Sequence, residues 1–259
     1  MTQQNVLVSV VTPSYNQVTY LEATIRSVLE QDYPDVEYFV IDGGSSDGSL
    51  DIIRKYAHSL AGWVSEKDTG QTDAINKGFS RAKGKYLAWL NSDDIWLPGA
   101  VRAAVQALES DETLGMVYAN ADIINGAGDV IGQFRARQTN YGLLRSGFVH
   151  IPQQTAFFRR ALWEQVGPLD PSFYFAMDYD LWVRLASIST LKYVPQKWAQ
   201  FRLHADAKTI AADERCWPEM LRVHYRLGGS PWAPIVWKYK LRKIVAPLIR
   251  WRRESMFKK

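Results

Sequence analysis

Two adjacent carboxylates, Asp93 and Asp94, close the segment Asn91-Ser92-Asp93-Asp94, which follows the apolar run Tyr86–Leu90. Magnesium and manganese take oxygen ligands, usually one or two carboxylates, and leave the rest of the shell to substrate phosphates and water. Adjacent acids at the end of a buried strand meet that need, although a cap for the helix that starts near Pro98 would use the same residue types. A further acid, Asp42, follows the run Tyr38–Ile41 and precedes Gly43-Gly44. A carboxylate there can accept the imide N–H of a pyrimidine while the glycines let the backbone come close to a ligand. Asp-Gly-Gly and Ser-Asp-Gly also form plain turns. After the first run, Val6–Val11, the segment Thr12-Pro13-Ser14-Tyr15-Asn16 offers a ring that can stack on a base or enter the core. Ser14 and Asn16 flank it with groups that can bond a ribose or phosphate. A fourth run, Trp63–Ser65, ends at Glu66-Lys67-Asp68-Thr69-Gly70.

Four apolar runs that each end in a polar cluster imply an open α/β sheet, because such sheets bind ligands beyond the carboxyl ends of their strands. The intervening segments read as helices. Thr19–Glu30 places Leu21, Ile25, Val28 and Leu29 at helical spacing, and similar patterns cover Asp47–Tyr56, Gln71–Ala82 and Pro98–Leu108. Strands alternating with helices of this length give right-handed βαβ units, hence a mostly parallel, Rossmann-like sheet with helices on both faces. The second half differs. Met116–Ile124 reads as a long strand, with Val130–Phe134 pairing back across Asn125-Gly126. Gln154–Phe158 reads as a short strand, Arg160–Gln165 and Tyr179–Ala186 as helices, and Tyr141–Phe148 as either. One unit is expected, with a ligand-binding lobe over 1–115, a smaller second lobe over 116–215 and a tail over 216–259.

A composition of 47% hydrophobic and 22% charged residues is that of an ordinary globular protein. The single cysteine, Cys216, excludes an internal disulfide and favours a reducing compartment. No basic n-region opens the chain and no run reaches membrane-spanning length, so a cytoplasmic protein is expected. The net charge of +4 is uneven: from Trp232 onward nine Lys and Arg face one acid, Glu254, a local excess of +8. In that tail Trp237, Leu241, Ile244, Val245 and Leu248 recur at helical spacing among the basic residues, and Trp251 and Phe257 add aromatic anchors. Such a segment suits an anionic membrane surface. Packing against the body would use the same pattern. Nucleic acid is the other partner of basic runs, but no nucleic-acid motif accompanies this one.

Taken in order, Val10–Asn16, Ile41–Gly48, Asp68–Gly78, Gly84–Asp94 and Asp178–Leu185 resemble a family 2 glycosyltransferase of the GT-A fold, an inverting enzyme. The resemblance implies roles. Pro13, Ser14, Tyr15, Asn16 and Asp42 would hold the uracil or thymine ring and its ribose, so a UDP- or dTDP-sugar is favoured. Asp73, Asn76 and Asn91 would line the nucleotide pocket and Asp93 would approach the ribose. Asp94 would bind Mn2+ or Mg2+ at the diphosphate, with His204 completing that site and Arg202 as an alternative diphosphate contact. Asp178 would be the catalytic base for a hydroxyl of a glycan or lipid-linked acceptor, as in cell-surface polysaccharide synthesis. Met177 stands where the family usually has Glu. Asp180 is the rival base, with surface exposure expected. His150–Gln154 would border the acceptor pocket, and Trp163, Trp182 and Trp198 would stack on a sugar or fill the core. The competing readings are a sugar-phosphate nucleotidyltransferase, whose glycine-rich basic loop Thr12–Asn16 lacks, and a non-catalytic carbohydrate- or membrane-binding protein on the same fold.

Overall fold

In the computed structural model, which describes residues 7–204 and 216–242, the alternating segments build one nine-stranded mixed sheet. The first half supplies β1 (Val8–Ser14), β2 (Val36–Asp42), β3 (Gly62–Ser65) and β4 (Tyr86–Trp89), all mutually parallel. Between them run α1 (Leu21–Leu29), α2 (Ser49–Tyr56) and α3 (Gln71–Phe79), inside the spans that the apolar spacing predicts. Then come β5 (Ile95–Trp96), α4 (Ala100–Glu109), β6 (Leu114–Ile124), β7 (Val130–Phe134), α5 (Tyr141–Arg145), β8 (Phe157–Arg159), α6 (Arg160–Val166), α7 (Met177–Ile188), β9 (Thr190–Arg202) and α8 (Cys216–Arg226). Residues 234–242 are helical. Asn140 decides the ambiguous stretch in favour of helix: its side chain accepts from the Leu143 amide and caps α5.

The strand order is β3-β2-β1-β4-β8-β6-β9-β5, with β7 on β6. The expected parallel pairing holds through β3-β2-β1-β4 and again for β6 with β9. The remaining pairs, β4 with β8, β6 with β7 and β8, and β5 with β9, are antiparallel. Antiparallel neighbours need no helical crossover, and β7 returns along β6 after a short turn. Pro195 falls in the part of β9 where the register against β6 slips between Tyr118 and Asn120. A bulge tolerates the missing N–H there.

Period-2 alternation divides the core between the two faces of the sheet. Val10, Tyr38, Val40 and Ala88 meet Leu21, Ile25, Ile53 and Val101 from α1, α2 and α4. Val11, Phe39, Ile41, Leu87 and Trp89 meet Ala74, Ile75 and Phe79 of α3 and Trp182 of α7. The Trp89 and Trp182 rings stack at 5.3 Å and 20°. Trp182 and Trp198 are fully buried, and Trp163 packs edge-on against Phe79, so these rings serve the core.

α3 lies on β1 with almost no gap. A Cβ on Gly78 would stand 2.5 and 2.6 Å from the two Cγ atoms of Val11. Gly78→Ala is therefore expected to lower stability by about 1–3 kcal/mol, read as a lower urea midpoint. An unchanged midpoint would show that the helix can lift without cost.

Candidate active site

β1 and β2 pair in register to their ends, with Ser14 opposite Asp42, so the two following loops share one corner of the sheet. Asp42 is fully buried. Its carboxylate accepts the amides of Gly44 (3.1 Å) and Ser45 (2.9 Å) and the hydroxyls of Ser45 (2.5 Å) and Ser65 (2.7 Å). Its first role is thus to fold its own loop and tie it to β3. Asn16 sits in the left-handed region at φ 51°, a conformation Asn accepts better than most residues. It laces the two loops together: its Oδ1 accepts the Ser46 amide at 2.9 Å and its amide donates to Ser45 Oγ at 2.8 Å. The Tyr15 ring beside it is exposed, and Pro13 is buried. Ser14 Oγ is buried with no hydrogen-bond partner among the described residues, which marks it as a group that a ligand could satisfy.

The two acids after β4 face opposite ways. Asp94 is fully buried. It accepts the Arg202 amide (3.0 Å), the Gln154 side chain (3.0 Å) and the Asn91 side chain (3.3 Å). Burial, and then the charge of Asp93, push its carboxyl well above the usual carboxylate range. Asp93 is partly exposed and its Oδ2 lies 3.1 Å from His204 Nε2. Asp94 thus bonds β9 and the segment before β8, and the carboxylate beside His204 is that of Asp93. Arg202, the alternative diphosphate contact, reaches the same loop. Its guanidinium donates to the carbonyls of Asp93 (2.9 Å), Asn125 (3.1 Å) and Gly126 (3.1 Å) and lies 4.7 Å from the Tyr20 ring. These bonds brace the acidic loop. Tyr20, unremarked in the sequence, also packs against the His204 ring at 4.8 Å.

A chain of amides backs the acidic loop. Gln71 donates to Asn91 (2.7 Å), Asn91 to Gln153 (3.2 Å), and Gln153 to the Trp89 carbonyl (2.8 Å). Gln154 thus bonds Asp94 directly, and Gln153 bonds Asn91 and the end of β4. No spacing signal could reveal this, since they lie about sixty positions from their partners. From α3, Asp73 accepts the Thr69 amide at 3.1 Å and pairs with Lys77 at 3.3 Å. The Thr69 bond holds its carboxyl below the ordinary value. Asn76 clamps Leu169 through both amide atoms, donating at 2.8 Å and accepting at 3.0 Å, and so ties the loop before α7 to α3. Asp68 emerges as a neighbour of the nucleotide corner. Its Oδ2 lies 2.8 Å from where a Gly43 Cβ would stand, so the second loop passes it only because residue 43 is glycine.

Asp178 occupies the first turn of α7, half-buried, with Oδ1 accepting the Tyr179 amide at 2.7 Å. Asp180 is fully buried, contrary to the exposure expected of it. It bonds Arg184 at 2.9 Å and Arg226 at closer range. Two guanidinium partners make it a structural ion-pair centre, not a free base.

Residues 9–167 match the model of Glycosyl transferase family 2, more than half of the chain. The chain belongs to glycosyl transferase family 2. Its sheet is that of the GT-A fold: S. aureus TarS 1–349 in complex with UDP-GlcNAc superposes with a TM-score of 0.66 at 18% identity, over 84% of this chain and 65% of that one. The mannosyltransferase PcManGT from Pyrobaculum calidifontis, in complex with GDP-Man and Mn2+, superposes with a TM-score of 0.65 at 22% identity, over 90% and 68%. In sequence, the chondroitin synthase of Pasteurella multocida is 27% identical over 212 residues, 79% of this chain but 21% of the synthase. The family match ends before Asp178, so the α7, β9 and α8 portions of this family 2 chain lie beyond it.

The residues present suit a divalent ion held jointly with substrate. Among the described residues no group of three or more His, Cys, Asp or Glu could form a metal cage. One carboxylate oxygen and one imidazole nitrogen converge at Asp93 and His204.

Proposed function

We propose that this family 2 protein is an inverting, metal-dependent glycosyltransferase. It would move a sugar from a nucleotide diphosphate sugar to a hydroxyl of a glycan or lipid-linked acceptor in cell-surface polysaccharide synthesis. The observation that carries the reading is the convergence of the β1 and β2 loops, Asp93 and His204 at the carboxyl edge of the parallel strands, where open α/β sheets take nucleotides. Polysaccharide synthesis is supported by the likeness to a chondroitin synthase. UDP- and dTDP-sugars are favoured on the resemblance of the nucleotide motifs; the TarS neighbour holds UDP-GlcNAc and PcManGT holds GDP-Man.

In this reading Tyr15 covers the base and Ser14 Oγ gains a partner from the nucleotide. Asp93 and His204 hold the divalent ion, which when bound offsets negative charge on the departing diphosphate. Asp94, clasped by Gln154, Asn91 and the Arg202 amide, keeps Asp93 directed outward. On the far side of the donor sugar, Asp178 accepts the proton of the attacking hydroxyl. One displacement through an oxocarbenium-like state inverts the anomeric centre. A thermal-shift screen of UDP-, dTDP- and GDP-sugars with manganese tests the donor site, because a ligand of the folded state raises its melting temperature. Release of nucleoside diphosphate then tests transfer. If no sugar nucleotide shifts melting or is turned over, the chain is a non-catalytic member of its fold.

The segment after α8 supports a surface role. Ile235 and Val236 are buried against the body, with Ile235 filling the space beside Gly147. Trp232, Trp237 and Leu241 stay exposed, with Lys238, Lys240 and Arg242 alongside. Most of the basic pattern, including Ile244, Val245, Leu248, Trp251 and Phe257, lies outside the described residues. No helix of the described residues is long and apolar enough to cross a membrane. The proposed partner is an anionic bilayer surface, at which the enzyme would sit peripherally on the cytoplasmic face beside a lipid-linked acceptor. Full-length protein is expected to sediment with vesicles containing phosphatidylglycerol and to be released by high salt. A chain ending before Trp232 should stay in the supernatant, and equal sedimentation would dismiss the idea.

A further inference from the structure

Glu219 stands in the first turn of α8 and bonds the segment that leads to Asp178. Its carboxylate accepts three successive backbone amides, those of Tyr174 (3.0 Å), Phe175 (2.8 Å) and Ala176 (2.9 Å). These residues lead directly into α7, whose second residue is Asp178. Amides at a helix start lack intrahelical partners, and Ala176, the N-cap of α7, has no side chain to serve them. Glu219, an acid from a different helix, instead fixes the N-cap amide and the two amides before it, and bonds to an ionised acceptor are the stronger kind.

The rest of the same helix face reinforces the grip. Arg222 donates to the Ser172 carbonyl at 2.6 Å and lies 3.9 Å over the Phe173 ring. Arg226 pairs with Asp170 at 2.7 Å and with Asp180. Positions 219, 222 and 226 recur at helical spacing, so one stripe of α8 holds segment 170–180 from end to end. The family match stops at residue 167, so both the holding and the held segments lie beyond the part the family defines.

We propose that Glu219 is a positioning residue for transfer: it sets the backbone from which Asp178 projects and holds the segment that carries Tyr174, an exposed residue. This rests on the reading of Asp178 as the base. Misplacing a reacting group by an ångström costs turnover much more than it costs donor affinity.

The test is Glu219→Gln in the full chain, which keeps the shape but removes the charge and one acceptor oxygen. Hydrogen exchange of the Tyr174–Ala176 amides should speed up by roughly tenfold or more. With whichever UDP-, dTDP- or GDP-sugar gives the largest thermal shift, kcat for nucleoside diphosphate release should fall about tenfold or more while donor KM stays within about twofold. Fast exchange at these amides already in the wild-type protein would overturn the proposal whether or not the variant folds. So would a kcat within about twofold of wild type, or losses in kcat and KM that track a fallen melting temperature. If Glu219→Gln behaves as expected but Asp178→Asn keeps full turnover, the base assignment fails, and the proposal falls with it even though the clamp is real.

Discussion

Asp178→Asn is expected to leave nucleoside diphosphate affinity within about twofold of wild type and to cut transfer by roughly 10² to 10⁴. The amide keeps the size of the side chain and can still accept the Tyr179 N–H, so α7 should start as before. What it loses is the capacity to take a proton. Isothermal titration with the nucleoside diphosphate and manganese reads the first half of the expectation. Initial rates of diphosphate release with acceptor read the second. Near-normal transfer by the variant would remove Asp178 from the mechanism. Asp180 could not then replace it, because both its oxygens lie buried against Arg184 and Arg226. Asp180→Asn should act differently. It weakens the bonds to both guanidinium groups, which keep Asp170 and the carbonyls of Val166, Gly167 and Pro168 as partners, and lowers stability by about 1–3 kcal/mol.

The second large effect separates the two acids after β4. Asp93→Asn is expected to abolish the dependence of nucleotide binding on manganese and to lower turnover by roughly 10² to 10³, the scale of losing one electrostatic contact to the developing charge. Asp94→Asn should leave manganese-dependent nucleotide binding measurable. Its main effect should be on the junction of β4, β9 and the segment before β8, because the new amide would set N–H groups against the donors of Arg202, Gln154 or Asn91. Calorimetric manganese titrations of both variants decide the matter. Loss of metal binding in Asp94→Asn with retention in Asp93→Asn would return the ligand role to Asp94.

Asp93 and Asp94 show where local pattern runs out. Adjacent acids after an apolar run announce a polar rim, but alternation alone cannot say which carboxylate turns inward. That choice depends on the Arg202 amide and Gln154, which lie 108 and 60 positions away from Asp94. Arg202 looked free to meet a phosphate because its carbonyl partners on the acidic loop and the β6–β7 turn come together only when β9 pairs with β6. Asn76 lies inside a recognisable motif, yet its amide is spent on Leu169, 93 positions on. Asp180 was expected at the surface because the α7 face it occupies is covered by α6 and α8, whose placement no local signal encodes. The strand β5 escaped for a related reason: two residues carry too little periodicity to stand out.

The residue order alone determined the family, the alternating β and α units, the parallel first half of the sheet and the presence of a polar edge beyond its strands. These follow from apolar periodicity and from turn chemistry that acts over a few neighbours. Folding decided which acid faces outward, which arginine is a brace, how the antiparallel strands enter the sheet, and that Glu219 of α8 holds the approach to Asp178. Each of those outcomes is a hydrogen bond or packing contact between residues far apart in the chain, and its energy exists only once the elements that carry both partners have docked.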